Sequence, residues 1–237
     1  MVETPAKQRT YLYSGKGQGN LPSATVASMT LDKYGQIWVG TTAGVAVFDD
    51  PASVVSGRNL DAYTPIFEKR RLLANETVTT IAIDGGNRKW MGTENGLWLF
   101  DEFGEKQIHY FNAANSPLLS DKIVDLEISD KSGELFIITD AGIVSYRSDA
   151  TPGESVFQKI KIFPNPVTHQ FTGSVGISGL VTDAIVKITD VGGKLVWQAT
   201  ANGGSTSWNV RDYNGNRAAT GIYLVFCITQ DEIGRAS

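Results

Sequence analysis

Polar and apolar residues alternate along much of this chain, and over its first two-thirds the alternation returns three times in one frame. The copies begin at Val26, Val78 and Ile123. In the second, Val78, Ile81 and Ile83 mark a strand with one buried face. Each copy then meets an aspartate, Asp32, Asp84 or Asp130, whose carboxylate can accept backbone N–H groups and open a turn. Three residues on stand Gly35, Asn87 and Gly133, residue types that tolerate the positive φ of a tight turn. The chain returns through an apolar run centred on Trp38, Trp90 or Phe136, and a Thr-x-x-Gly turn ends at Gly44, Gly96 and Gly142. Gly40 and Gly92 mark places of close backbone approach. The large rings recur 52 and then 46 positions apart, about the length of one four-stranded propeller blade. They are expected to wedge between neighbouring blades, each contributing roughly 1.5–3 kcal/mol by burial.

A looser element precedes each copy: Asn20-Leu-Pro-Ser23, Leu72-Leu-Ala-Asn75 and Pro117-Leu-Leu-Ser120. Gln107–Phe111 reads as one more short strand. The grammar changes near Tyr146. A polar stretch, 147–155, reads as a linker. Two prolines then flank Asn165 and end a strand sharply at Phe163. Short strands follow around 175–180, 184–190, 194–197, 207–210 and 221–227, with turns at Gly192-Gly193 and Asn214-Gly215. That spacing predicts an antiparallel β-sandwich. The alternation fails in 232–237, where a closing strand is due. This tail matches, in one reading frame, the translation of a common sequencing-adapter sequence. It is expected to be non-native, leaving the sandwich without its last strand and with an open edge. A genomic copy that continues natively through these codons would dismiss that expectation.

Asp-x-x-Gly-x-Ile-Trp-Val-Gly-Thr-x-x-Gly resembles the two-component regulator propeller repeat. Phe163-Pro-Asn-Pro-Val167, Val186-Lys-Ile-Thr-Asp190 with the hairpin after it, and Ala219-Thr-Gly221-Ile-Tyr223-Leu resemble the C-terminal sorting domain of type IX (Por) secretion cargo. The two resemblances cover nearly the whole chain to about residue 230. They imply an all-β fold: a partial β-propeller of about three blades over 1–150, a linker at 151–157, and an Ig-like antiparallel β-sandwich over 158–231. They also imply an exported component of the bacterial cell surface and outer membrane, with type IX machinery and its sortase as partners. Such components help the sortase attach anionic lipopolysaccharide to cargo, so that lipopolysaccharide or another glycan is an expected ligand. No catalytic, cofactor or metal residues carry over, and the binding residues stay open. Ile138 departs from the repeat, standing where the other copies have glycine. An extracellular sensor propeller, or a propeller cargo with an enzyme domain elsewhere, are the competing readings.

Composition narrows these classes. The 237 residues carry a formal net charge of −4, and Lys69-Arg70-Arg71 is the one basic cluster, which speaks against nucleic acid. No stretch approaches the ~20 apolar residues of a membrane-spanning helix. His109 and His169 are the two histidines, and neither has a Cys, second His or paired acid at ligand spacing. The three repeat aspartates come one per blade, too far apart for a cation shell. Gly15-Lys-Gly-Gln-Gly19 lacks the ending of a phosphate loop. Cys227 is the sole cysteine, sits in an apolar strand, and is expected to be an inert thiol.

Overall fold

The structure is a computed structural model that describes residues 2–3 and 9–229, apart from 59, 130 and 158. The proposed adapter tail therefore lies outside the described residues, as does Asp130. The chain divides into two compact units: Met1–Ser129 with Glu134–Tyr146, and Asp130–Gly133 with Arg147–Ser237.

The first unit holds three antiparallel blades. Before them, β1 (Val2–Glu3) pairs with β2 (Arg9–Thr10). Blade 1 is β3 (Val26–Leu31), β4 (Ile37–Thr41) and β5 (Gly44–Phe48). A short helix, α1 (Pro51–Val55), and a two-stranded hairpin, β6 (Ile66–Phe67) with β7 (Arg70–Arg71), follow. Asp50 caps α1, its Oδ1 accepting the Ala52 N–H at 3.0 Å. Blade 2 is β8 (Val78–Ile83), β9 (Lys89–Thr93), β10 (Gly96–Phe100) and β11 (Gln107–Phe111). Blade 3 is β12 (Ile123–Ser129), β13 (Glu134–Thr139) and β14 (Gly142–Arg147). Among the described residues, only blade 2 has the four strands that the repeat length suggests. In blade 1 an isolated bridge from Val47 to Tyr63 stands in the outer place. Each inner strand carries a register shift at the same point, between Val26 and Ser28, Val78 and Thr80, and Ile123 and Asp125. A bulge repeated in three blades is part of the repeat, and it adds twist where blades splay.

The seams follow from strand alternation. Trp38, Val45 and Val47 leave one face of blade 1 and meet Ile81, Met91 and Phe100 of blade 2, with Leu72 and Leu73 from the loop between. One blade later Trp90, Leu97 and Leu99 meet Leu126 and Ile137, with Leu118 from the loop. The loop leucines of the three copies, Leu21, Leu73 and Leu118, are all buried. Trp38 and Trp90 are 0% exposed, but Phe136 is 42% exposed. The wedge expectation thus holds for the first two rings and fails for the third, because no further blade among the described residues covers that face.

The second unit is a sandwich. One sheet runs β15 (Lys161–Phe163), β16 (Val175–Ser178), β19 (Ser205–Trp208), and the other β18 (Leu195–Thr200), β17 (Ile185–Asp190), β20 (Tyr223–Ile228). Val175, Ile177 and Trp208 close against Val186 and Ile188, with Val225 and Cys227 packed beside them. Ala150 is buried, and Thr151 and Glu154 bridge to Gly203 and Val181. The fold is all-β, a partial propeller followed by an Ig-like sandwich.

Candidate functional site

One turn recurs at the same end of blades 1 and 2, with the same chemistry in both. In the sequence Asp-x-x-Gly, the aspartate Oδ1 accepts two backbone N–H groups across the turn. Asp32 takes those of Tyr34 and Gln36, both at 2.9 Å, and Asp84 those of Gly86 and Arg88 at 2.9 and 3.0 Å. Gly35 sits at φ +82° and Asn87 at +59°, the left-handed region the turn requires. Asp190 and Asp212 organise the same turn with Gly193 and Gly215, and Asp101 a turn one residue longer with Gly104, its Oδ1 accepting the Glu105 and Lys106 N–H groups. At the other end of each blade the Thr41, Thr93 and Thr139 hydroxyls donate to the carbonyls of Gly44, Gly96 and Gly142 at 2.9, 3.0 and 2.9 Å.

A buried ion pair ties blades 1 and 2 together. Lys89 Nζ lies 3.0 Å from Asp32 Oδ2, both side chains are 0% exposed, and the ammonium stands 4.8 Å over the Trp38 ring. Trp38 Nε1 donates to the same Oδ2 at 3.1 Å, and Lys89 also donates to the Asn87 carbonyl at 2.7 Å. Burial pushes the Asp32 carboxyl up, but the hydrogen bonds from Lys89 and the Gln36 backbone, with the Lys89 charge, outweigh it and hold it below its ordinary value. Burial pushes Lys89 down, and Asp32 offsets part of that. In blade 2 the matching carboxylate Oδ2 of Asp84 is taken by Arg88 Nε at 2.7 Å, and the Trp90 indole N–H is buried without a hydrogen-bond partner.

On this same end, two exposed aromatic rings from different blades meet. Tyr34, in the Asp32 turn, stacks with Phe103, in the Asp101 turn, at 6.1 Å between centroids and 23° between planes. The Tyr34 hydroxyl donates to Glu102, and Lys33 Nζ donates to the Gly85 carbonyl at 2.6 Å. Gly104, at φ +73°, has the Trp38 ring edge 3.0 Å from where its Cβ would stand, so the Phe103 loop rests on the buried seam. Tyr63 is also exposed, and Gln36 Nε2 donates to Asp49 beside it. Partial burial first, then the Asp49 carboxylate, push the Tyr63 phenol up, with Asp32 and Glu105 adding to the rise against a hydrogen bond from Gln36.

The second unit carries an open cleft of 1130 Å³, whose lining includes the outer face of the β15–β16–β19 sheet. Register places Lys161, Ser178 and Ser205 in one row and Phe163, Gly176 and Ser207 in the next. Phe163 is 78% exposed, standing beside a glycine and a serine, so the Phe-Pro-Asn-Pro segment presents its ring outward. Lys159 and Lys161 also line the cleft.

The other residues singled out in the sequence are dispersed. His109 is exposed on β11 and stacks on Phe111 at 5.4 Å. His169 is exposed in a loop, its carbonyl accepting from Arg217 at 3.4 Å. Cys227 is half-buried, and burial pushes its thiol up. The Gly15–Gly19 loop wraps a carboxylate of its own chain: Gly17 N–H donates to both Asp61 oxygens at 2.7 and 2.8 Å. Lys69, Arg70 and Arg71 are exposed on the β6–β7 hairpin. Among the described residues no group of three His, Cys, Asp or Glu could hold a metal ion, and no helix is long and apolar enough to cross a membrane.

Comparison with known proteins follows these boundaries. Residues 161–233 match the secretion system C-terminal sorting domain, and residues 20–43 match the two component regulator propeller. Among solved structures, PorZ of Porphyromonas gingivalis, described as an essential bacterial surface component of the type-IX secretion system, is 32% identical. The similarity covers 88% of this chain and 29% of PorZ, with a TM-score of 0.64. The extracellular domain of the putative hybrid two component system BT3049 from B. thetaiotaomicron is 18% identical over 98% of this chain and 30% of that one, with a TM-score of 0.45. The chain thus spans less than a third of the length of either structure. No curated protein matches.

Proposed function

We propose that this PorZ-like chain, regulator-propeller repeats followed by a secretion-system sorting domain, is a non-catalytic surface component of type IX secretion. In this reading the propeller, 1–150, is a recognition platform for a glycan or protein partner. The sandwich, 158–231, directs export and docks on the secretion machinery. The whole assists the sortase that attaches anionic lipopolysaccharide to cargo. The observation that carries the reading is the sorting-domain match over 161–233 within a chain similar to PorZ over most of its length. The cleft around Lys159, Lys161 and Phe163 offers the sandwich an exposed aromatic, cationic surface for docking.

The test is surface exposure in two strains. The chain, carrying a bacterial export leader, is expressed in a Bacteroidetes cell competent for type IX secretion and in one lacking the translocon. Protease shaving of intact cells is expected to remove it only from the competent strain. Equal shaving in both strains, or protection in both, refutes the export role. Capture of a partner from solubilised outer membranes is a separate readout, on which the platform role of the propeller stands or falls.

A further inference from the structure

We propose that the aspartate-turn end of blades 1 and 2 binds a neutral saccharide chain, with the Tyr34 and Phe103 rings as its platform. This rests on the reading of the propeller as a recognition platform and names the face and the ligand class. Sugar rings present axial C–H groups to aromatic faces and hydroxyls to carboxylates, and this surface supplies both. Tyr34 and Phe103 are exposed yet already held in place: Tyr34 by its backbone N–H on Asp32 and its hydroxyl on Glu102, Phe103 by the Asp101 turn, where Asp101 Oδ1 accepts the Glu105 N–H at 2.8 Å. Rings fixed before binding lose little freedom on contact. Tyr63 and the Gln36–Asp49 pair extend the surface.

Carboxylates flank the two rings: Asp49, Asp101, Glu102 and Glu105, beside Lys33 and Lys106. The basic Lys69, Arg70 and Arg71 stand on the β6–β7 hairpin, which packs through Phe67 on Phe100 and leads into Leu72 beside Gly104. A polyanion over the rings themselves faces carboxylates, whereas sugar hydroxyls find acceptors there.

The experiment uses the full chain in affinity electrophoresis and titration calorimetry with a soluble β-glucan, a mannan and polygalacturonate. Binding to at least one neutral polymer is expected, with polygalacturonate inert. Phe103→Ala and Tyr34→Ala are each expected to weaken binding about tenfold, the worth of one well-placed aromatic contact. Phe136→Ala, an exposed ring on another face, is expected to change nothing, and unchanged melting curves exclude unfolding. Binding that persists in both turn variants, or a preference for polygalacturonate, overturns this site while leaving the platform role standing. Failure to bind all three polymers overturns the site. If surface-partner capture fails as well, the platform reading falls with it.

Discussion

Replacing Lys89 by leucine tests whether the first seam is held by its ion pair or by its apolar contacts. The matching positions in blades 1 and 3 are Ile37 and Leu135, so leucine suits the strand. The pair is 3.0 Å long and fully buried. At an effective dielectric near 20 its gross attraction is about 5 kcal/mol, most of it offset by the desolvation of both groups. Deleting the cation alone leaves the Asp32 carboxylate buried, held only by the Trp38 indole and two backbone N–H groups. The expected cost is about 3 kcal/mol, which lowers the melting temperature by about 6–12 °C. In an Asp32→Asn background the same substitution should cost less than about 1 kcal/mol, since no stranded charge remains. Urea unfolding followed by tryptophan fluorescence reads the seam directly, because Trp38 lies within it. In Lys89→Leu the Asp32 carboxyl loses the Lys89 hydrogen bond and charge that hold it down, so its pKa rises from the wild-type value and the deficit should shrink as pH falls. A cost of Lys89→Leu that is the same with and without the Asp32→Asn change refutes the reasoning, and so does a cost that does not vary with pH.

Other consequences follow from single positions. A Cβ at Gly92 would lie 2.5 Å from Ile123 Cγ2, so Gly92→Ala should destabilise by about 2 kcal/mol or more, whereas Gly35→Ala, at φ +82° with open space around it, should cost only about 1 kcal/mol; paired urea midpoints decide. Asp32 titrates below its ordinary value in the folded state, so its stabilisation is complete above about pH 4 and is lost as pH falls further. Melting temperatures from about pH 6 to about pH 2 should show that acid limb, and Asp32→Asn should flatten it. Burial raises the Cys227 thiol, so a disulfide reagent at about pH 8 should label the native chain at least about tenfold more slowly than the urea-unfolded chain.

The repeat was legible because its turn chemistry is local. An aspartate followed three residues later by glycine or asparagine closes its own hydrogen bonds, whatever surrounds it. The same Asp-x-x-Gly spacing recurs at Asp101, Asp190 and Asp212, in the β10–β11 turn, the β17–β18 turn and the loop between β19 and β20, and the turns at Gly192-Gly193 and Asn214-Gly215 are legible from it. The threonine hydroxyls that close the opposite turns were equally visible, as Thr41, Thr93 and Thr139 recur in register. What was not legible depends on contacts distant in sequence. Lys89 reads as a polar residue on an apolar strand until Asp32, 57 positions earlier, is placed beside it. The Gly15–Gly19 loop needs Asp61 to explain it. The stacking of Tyr34 on Phe103 joins turns of two blades and leaves no local mark.

The two outer flanks of the three-blade array are not complementary, and the reason lies in one residue. Met29, Ile81 and Leu126 hold the same place on the three inner strands, pointing back toward the preceding blade. Ile81 and Leu126 are 7% and 5% exposed beneath a tryptophan wedge, while Met29 is 70% exposed. The first blade therefore presents a flank of the kind that a wedge covers. The third blade's opposite flank offers Phe136 as a wedge, so two copies of this chain would stack there if the fit allowed it. Seating a wedge also requires glycine two residues on, because a Cβ there would lie 2.9 Å from the Val78 carbonyl at Gly40 and 2.5 Å from Ile123 at Gly92. Blade 3 carries Ile138 at that position. A branched side chain there would meet the next inner strand as a Cβ would at Gly40 and Gly92, so the geometry of the first two seams does not carry over to this flank.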